Sequence, residues 1–179
     1  MPDYTPYFHV QFFPMRQLLI LLFILPLTAL SAQDGGMNNA RLDTILRSLP
    51  LTLEGQPGRW EFTLAETQML CLTDEKHDRM RIIAPVKLIA EASGEEIRDC
   101  MEANFHSALD VKYAIADDLI WVAFIHPLSP LTDEQFIDAI TQVRSAVVTF
   151  GTTYTSTDLV FPGGRKAPEK PAKKPLQKL

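Results

Sequence analysis

Cysteine is scarce in this chain: 179 residues carry two, Cys71 and Cys100. A single pair permits at most one bridge, which excludes a disulfide-stapled scaffold, and their separation fits no paired-cysteine zinc pattern. Histidine is also sparse, with four in the chain, one of them His9 near the start. His77, His106 and His126 fall at scattered positions with no short-spaced pair, so no metal motif is legible. Glycine numbers eight, and no phosphate-cradling loop is formed from it, since Gly163-Gly164 lies in the C-terminal tail. Ser129 lies near His126, but no strained nucleophile turn of the Gly-x-Ser-x-Gly type surrounds it. The adjacent acids Glu95-Glu96, Asp117-Asp118 and Asp133-Glu134 fit two helix starts and one turn, and neighbours along a helix or strand do not face one substrate together. These absences leave no catalytic constellation and no cofactor motif. The expectation is a protein that is not an enzyme and binds no cofactor.

Positive charge is also in short supply over most of the chain. Residues 33–161 hold twenty acidic and ten basic side chains, a net of −10. Residues 162–179 (PGGRKAPEKPAKKPLQKL) hold six basic and one acidic, a net of +5. An acidic body argues against nucleic acid as a partner, because phosphate contacts need a basic footprint. The tail is rich in Pro and Lys with almost nothing to bury, so its composition predicts disorder. It is either a solvated tether or a strip that touches an anionic envelope surface or folds back on the acidic body.

No apolar run reaches the length of a membrane span. Residues 18–30 (LLILLFILPLTAL) form a run of thirteen interrupted by Pro26, short of the roughly 20 residues that a spanning helix needs. Arg16 precedes the run, and the small residues of 29–32 (ALSA) follow it, ahead of Gln33 and Asp34. That order of positive, apolar, small and polar predicts a secretory signal peptide over 1–32, cut after Ser31 or Ala32; a buried helix or uncleaved anchor is the alternative. The residues before Met15 add no positive charge, which points to Met15 as the natural start. No cysteine ends the run, so no lipid anchor is expected. The implied compartment is the bacterial periplasm.

Three stretches carry helical periodicity. Residues 38–49 place Leu42, Ile45, Leu46 and Leu49 on one face behind Asn38 or Asn39 as cap, and Pro50 stops them. Ser93 and Glu96 form a reciprocal cap ahead of Ile97, Cys100, Met101, Phe105 and Ala108, a face expected to cover a sheet. Asn104 shares that face and is expected to bond to backbone. The third start is the most complete, with Thr132 and Gln135 as the reciprocal cap, Asp133 and Glu134 in the first turn, and Leu131 with Phe136 as an apolar clasp. Phe136, Ile140, Val143, Val147 and Phe150 continue it as a seam that Gly151 ends.

Strand patterns fill the intervals. Residues 60–66 alternate, with Trp60, Phe62 and Leu64 on one side. Residues 69–73 and 80–88 flank the charged 74–79 and read as a hairpin, and Pro85 requires the second strand to lie at an edge or to bend. Residues 111–116 alternate, Asp117-Asp118 turn the chain, and 119–125 (LIWVAFI) are apolar on both faces, as in an interior strand with a cover on each side. A partner subunit is one such cover. Residues 54–59, with Gly55, Pro57 and Gly58, read as a loop. Pro127 and Pro130 end the ladder, and Leu159, Val160 and Phe161 read as a last apolar flap.

The order is therefore helix, three strands, helix, two strands, helix (α-β-β-β-α-β-β-α), a single α+β domain over 33–161 with three helices on a five-stranded antiparallel sheet. That order, and above all residues 119–143 (LIWVAFIHPLSPLTDEQFIDAITQV), resembles the type III secretion chaperone-like fold, including the YbjN-type proteins. The resemblance implies a small, usually dimeric protein without known catalysis, and the secretion chaperones bind extended segments of client proteins. Those chaperones work in the cytosol, whereas this chain is expected to be exported, so client delivery is not carried over.

Together these features predict an exported, non-enzymatic protein-binding module, expected to be a homodimer. A periplasmic small-molecule or envelope-polymer binder is the alternative, with the basic tail holding anionic polymer. An enzyme would need His106 or His126 to meet a carboxylate. Trp60 and Trp121 read first as core residues. If Trp121 lies on the sheet face away from the helices it becomes an interface anchor, and the candidate interface is Trp121 with Ile120, Val122 and Phe124 of the same strand. Cys71 in a strand and Cys100 on a helix have two readings: a sheet-to-helix disulfide, which needs Cα atoms within about 7 Å, or two small buried hydrophobes.

Overall fold

A computed structural model describes residues 35–159. The expected signal peptide over 1–32 and the tail over 162–179 lie outside the described residues. Among the described residues three α-helices form where the cap signals place them. In α1 (Asn39–Ser48) the Asn38 side chain accepts from the backbone N–H of Arg41, and Leu42, Ile45 and Leu46 are buried. Both reciprocal caps are present, Ser93 with Glu96 ahead of α2 (Gly94–His106) and Thr132 with Gln135 ahead of α3 (Asp133–Thr149). Each satisfies two backbone donors that a helix start otherwise leaves unpaired.

The sheet has six strands, β1 (Thr52–Gln56), β2 (Arg59–Leu64), β3 (Thr67–Asp74), β4 (Arg79–Leu88), β5 (Lys112–Ala116) and β6 (Leu119–His126). They are ordered β1-β2-β3-β4-β6-β5, and every pair is antiparallel. This corrects the expected five. The missed strand is β1, part of which reads as a loop because of Gly55. That glycine stands opposite Trp60 at φ +103, where a Cβ would come 2.3 Å from the Arg59 carbonyl oxygen. It marks a close backbone approach inside a strand and does not end it. Pro85 acts by bending: β4 lies between β3 and β6, and its register shifts between Pro85 and Lys87, which relieves the ladder of the missing donor.

Alternation sends one face of every long strand into a common core. Trp60, Phe62, Met69, Cys71, Met80, Ile82, Ala84, Tyr113, Ile120, Val122 and Phe124 are buried together with Leu42 and Leu46 of α1 and Phe136, Ile140 and Val143 of α3. Polar ties also cross between the layers. Trp60 Nε1–H donates to Asp43 Oδ1 at 2.9 Å, and Tyr113 Oη–H donates to the Ala146 carbonyl at 2.8 Å. The buried indole and phenol therefore keep partners for their polar ends, which burial demands.

Helix α2 departs from its expected role. Cys100 and Ala103 are buried, but Met101 is 49% and Phe105 79% exposed. The helix meets the sheet along the edge strand β5, so only one flank of its apolar stripe has strand beneath it. Asn104 bonds to backbone as expected, donating to the Tyr113 carbonyl and accepting from the Tyr113 N–H. The two cysteines are free and buried, which decides against the disulfide. Cys71 pairs with Ile82 and, through it, faces Phe124, whereas Cys100 lies by Tyr113 and Ile115 of β5. Strands spaced about 4.8 Å apart put β3 and β5 roughly 14 Å from each other, twice the reach of a bridge. Burial pushes the Cys71 thiol up to about 12, and burial with the charges of Asp99 and Glu96 pushes Cys100 up to about 11.

After α3 the chain folds back through Tyr154 and Ser156. Ser107 Oγ–H donates to the Tyr154 carbonyl and Ser156 Oγ–H to the Ala108 carbonyl, both at 2.8 Å. Of the expected flap, Leu159 is exposed, and Val160 and Phe161 lie outside the described residues.

Candidate functional site

Burial along β6 alternates residue by residue. Ile120, Val122 and Phe124 are 2%, 0% and 6% exposed and face the protein's own helices. As contact candidates they are corrected, because a side chain already packed in the core has no surface left to offer. Trp121 lies on the other face, half-exposed, with Ala123 and Ile125. Trp60, the second tryptophan, is fully buried.

The strand registers show what surrounds Trp121. Leu70, Ile83, Ala123 and Lys112 form one row across β3, β4, β6 and β5. A second row runs Leu72, Arg81 and Ile125, and a third runs Pro85, Trp121 and Ala114. None of these residues is buried, and Ile125 is 65% exposed. The result is a largely apolar sheet face that no described helix covers, its rows interrupted by the exposed Arg81 and Lys112. Acidic charge collects at its rim, where Glu54 stands directly opposite Glu61 and Arg59 bridges to Glu61 at 2.7 Å. Trp121 Nε1–H donates to the Ala116 carbonyl at 3.0 Å, which pins the indole in one orientation. A groove of about 320 Å3 runs beside it, lined by Leu70, Pro85, Gln68, Glu61 and Glu54. Sequence alone assigns Glu54 to a loop and leaves Leu70 and Ile83 without a face; only the register unites them.

The chemical candidates are held apart or held still. His77 Nδ1 lies 2.6 Å from Asp74 in the turn between β3 and β4, and that hydrogen bond holds the Asp74 carboxyl below its usual value. His106 meets the edge of Phe105 at 4.8 Å between centroids, with its Nδ1 buried and unpartnered. His126 Nδ1–H donates to the Pro127 carbonyl at 2.7 Å, and its ring stacks on Phe124. His126 does share a cleft of about 230 Å3 with Asp110, Asp138 and Gln142. Gln142, 1% exposed, donates to Asp138 at 2.7 Å and to Asp110 at 3.1 Å, so the amide holds both carboxylates and neither is bonded to the imidazole. Among the described residues no group of three or more His, Cys, Asp and Glu is placed to hold a metal ion.

The remaining acids and Ser129 serve the scaffold. Ser129 donates its N–H and its hydroxyl to the Asp78 carboxylate at 2.6 and 3.0 Å, tying the loop before α3 to the turn between β3 and β4. Asp117 and Asp118 take positive φ in the tight turn between β5 and β6. Asp133 bridges to Arg41 at 2.6 Å. Glu96 accepts from the Ser93 N–H and from Lys87, and these two bonds keep its carboxyl ionised below the ordinary range.

No protein-family model matches the sequence, and no curated protein matches it. Among solved structures the chain is similar to one described as "Structure of the HopA1-SchA Chaperone-Effector Complex", with 11% identity and a TM-score of 0.48 over 61% of this chain and 88% of that one. A likeness of that degree is one of outline, and it assigns neither a family nor a partner to this chain.

Proposed function

We propose that this protein is an exported, non-enzymatic protein-binding module of secretion-chaperone-like, YbjN-type architecture that grips partner chains with the helix-free face of its sheet, a second copy of itself first among them. One observation carries the proposal. Trp121 stands pinned in an unburied row with Leu70, Ile83 and Ile125 around it, and an oriented aromatic in an apolar surround is the anchor on which interfaces concentrate their energy.

Sedimentation of the mature chain at micromolar concentration, with crosslinking in the native envelope, tests it. The expected result is a dimer or a crosslinked partner that Trp121→Ala loses. A strict monomer with no crosslinked chain sinks the proposal. The second reading, a small-molecule binder, draws on the His126 cleft, where two carboxylates favour a cationic ligand. Its volume of about 230 Å3 falls below the roughly 300–1,000 Å3 of most ligand pockets, so the sheet face is preferred.

A further inference from the structure

The groove beside Trp121 has two unlike ends. Trp121, Pro85 and Leu70 make one apolar, Glu54 and Glu61 make the other acidic, and no Lys or Arg lines it among the described residues. Glu61 is shared with Arg59, while Glu54 stands close to a like charge across the β1–β2 ladder. Such a site suits an extended segment with proline at one end and lysine at the other. Proline-rich chains dock in aromatic-lined grooves, and two neighbouring carboxylates favour a cation over each other.

The chain carries such a segment itself. Residues 162–179 have a net charge of +5 against a net of −10 for residues 33–161, and residues 168–174 read PEKPAKK. We propose that residues 168–174 dock in this groove on the same molecule, with Pro168 against Trp121, Pro171 over Leu70, and Lys174 at Glu61 and Glu54. The inference rests on the reading of the helix-free face as a contact surface. It adds that the chain's own segment occupies one end of that face and must leave before a partner takes it.

The dimensions agree. Trp121 lies three strands from Glu61 and four from Glu54, two residues away in register, which at standard spacings is roughly 16–20 Å. Six residues of extended Pro-rich chain, from 168 to 174, span about 19 Å at about 3.1 Å each. Three residues per turn align Pro168, Pro171 and Lys174 on one side, Lys170 and Lys173 on the next, and Glu169 with Ala172 on the third, away from the carboxylates. Nine residue steps from Leu159 to Pro168 give about 28 Å of extended chain, twice the roughly 14 Å radius of gyration of a body of this size. The tether also supplies an effective concentration of about 1 mM, so a segment with an intrinsic Kd of about 0.1 mM is docked in about nine molecules of ten.

Acrylamide quenching of tryptophan fluorescence reads this in the full chain, because Trp60 is fully buried and Trp121 carries the signal. Lys170→Glu, Lys173→Glu and Lys174→Glu together are expected to raise the Trp121 quenching constant about twofold at concentrations where sedimentation finds monomer alone. Adding Glu54→Lys and Glu61→Lys to that reversed segment is expected to restore the shielding. Quenching that ignores the reversal, or a charge swap that fails to restore it, overturns the proposal. Shielding that is absent from the monomer and arises only as the dimer forms also overturns it and assigns the groove to a second copy. The dimer and crosslinking tests of the proposed function read out separately, so they can succeed where this fails.

Discussion

Ile120 and Trp121 are neighbours in β6 with opposite surroundings, and alanine at each position separates packing from recognition. Ile120 is 2% exposed inside the core. Ile120→Ala removes three carbons from a packed interior and is expected to cost about 2–5 kcal/mol, transfer and cavity together. For a domain of this size 1 kcal/mol moves Tm by about 4 °C, so the drop is about 8–20 °C. Trp121→Ala removes a half-exposed indole whose one polar bond, to the Ala116 carbonyl, is worth about 1 kcal/mol net. Its Tm is expected to fall by no more than about 4 °C. Association responds in the reverse order, since truncating an anchoring aromatic costs an interface about 2 kcal/mol or more, roughly 30-fold in Kd. Thermal melts read by circular dichroism, at one low concentration so that dimerisation does not contribute, pair with sedimentation of the same samples. If Trp121→Ala loses as much Tm as Ile120→Ala and association is untouched, Trp121 is a packing residue and the helix-free face is no contact surface.

Four further outcomes are expected. Gly55→Ala, at φ +103 with a Cβ 2.3 Å from a carbonyl oxygen, should lose about 2 kcal/mol or more and lower Tm by about 8 °C; an unchanged melt would show that β1 and β2 are not closely apposed there. Gln142→Leu removes the amide between Asp110 and Asp138 and leaves the Asp110 N–H without its acceptor, a loss of about 2–4 kcal/mol, and the segment bonded at Ser156 should become the first site of limited proteolysis. The Asp78 carboxyl is held below its ordinary 3.8 chiefly by the Ser129 backbone N–H. Its stabilisation is therefore fully present above that value and is lost as pH falls through the lower folded value; Asp78→Asn should be less stable at neutral pH and show a shallower loss in acid, and parallel pH curves would refute the link. Burial keeps both thiols protonated, so a thiol reagent at about pH 8 should label neither until the chain unfolds, and prompt labelling of Cys100 would contradict its packing.

Helix positions were legible because their signals are local. A cap, its partner three residues on and an apolar face at three-and-four spacing all fall within one or two turns, and α1, α2 and α3 begin at Asn38, Ser93 and Thr132 as those residues indicate. The strands β2 to β6 were equally legible, β2 and β5 from alternation and β3, β4 and β6 from apolar runs between turn signals. β1 was not, because the same glycine that ends strands in most sequences here makes room for β2, and the difference is one of tertiary contact. The contact surface was legible only in part. An apolar run on both faces marked 119–125 as special, yet it could not say which face the helices take, and three of the four residues named for contact belong to the core.

By itself the sequence determined the α+β class, the order of its helices, the hairpin turns and the separation of an acidic body from a basic segment, since each follows from chemistry within a few residues or from composition. The tertiary structure alone decided that Trp121 and not its neighbours faces outward, that Leu70, Ile83 and Ile125 join it, that Glu54 and Glu61 lie at one end of its groove, and that Cys71 and Cys100 stand too far apart to bridge. Those relations depend on strand order and register, which set distances between residues far apart in the chain, and no local pattern encodes them.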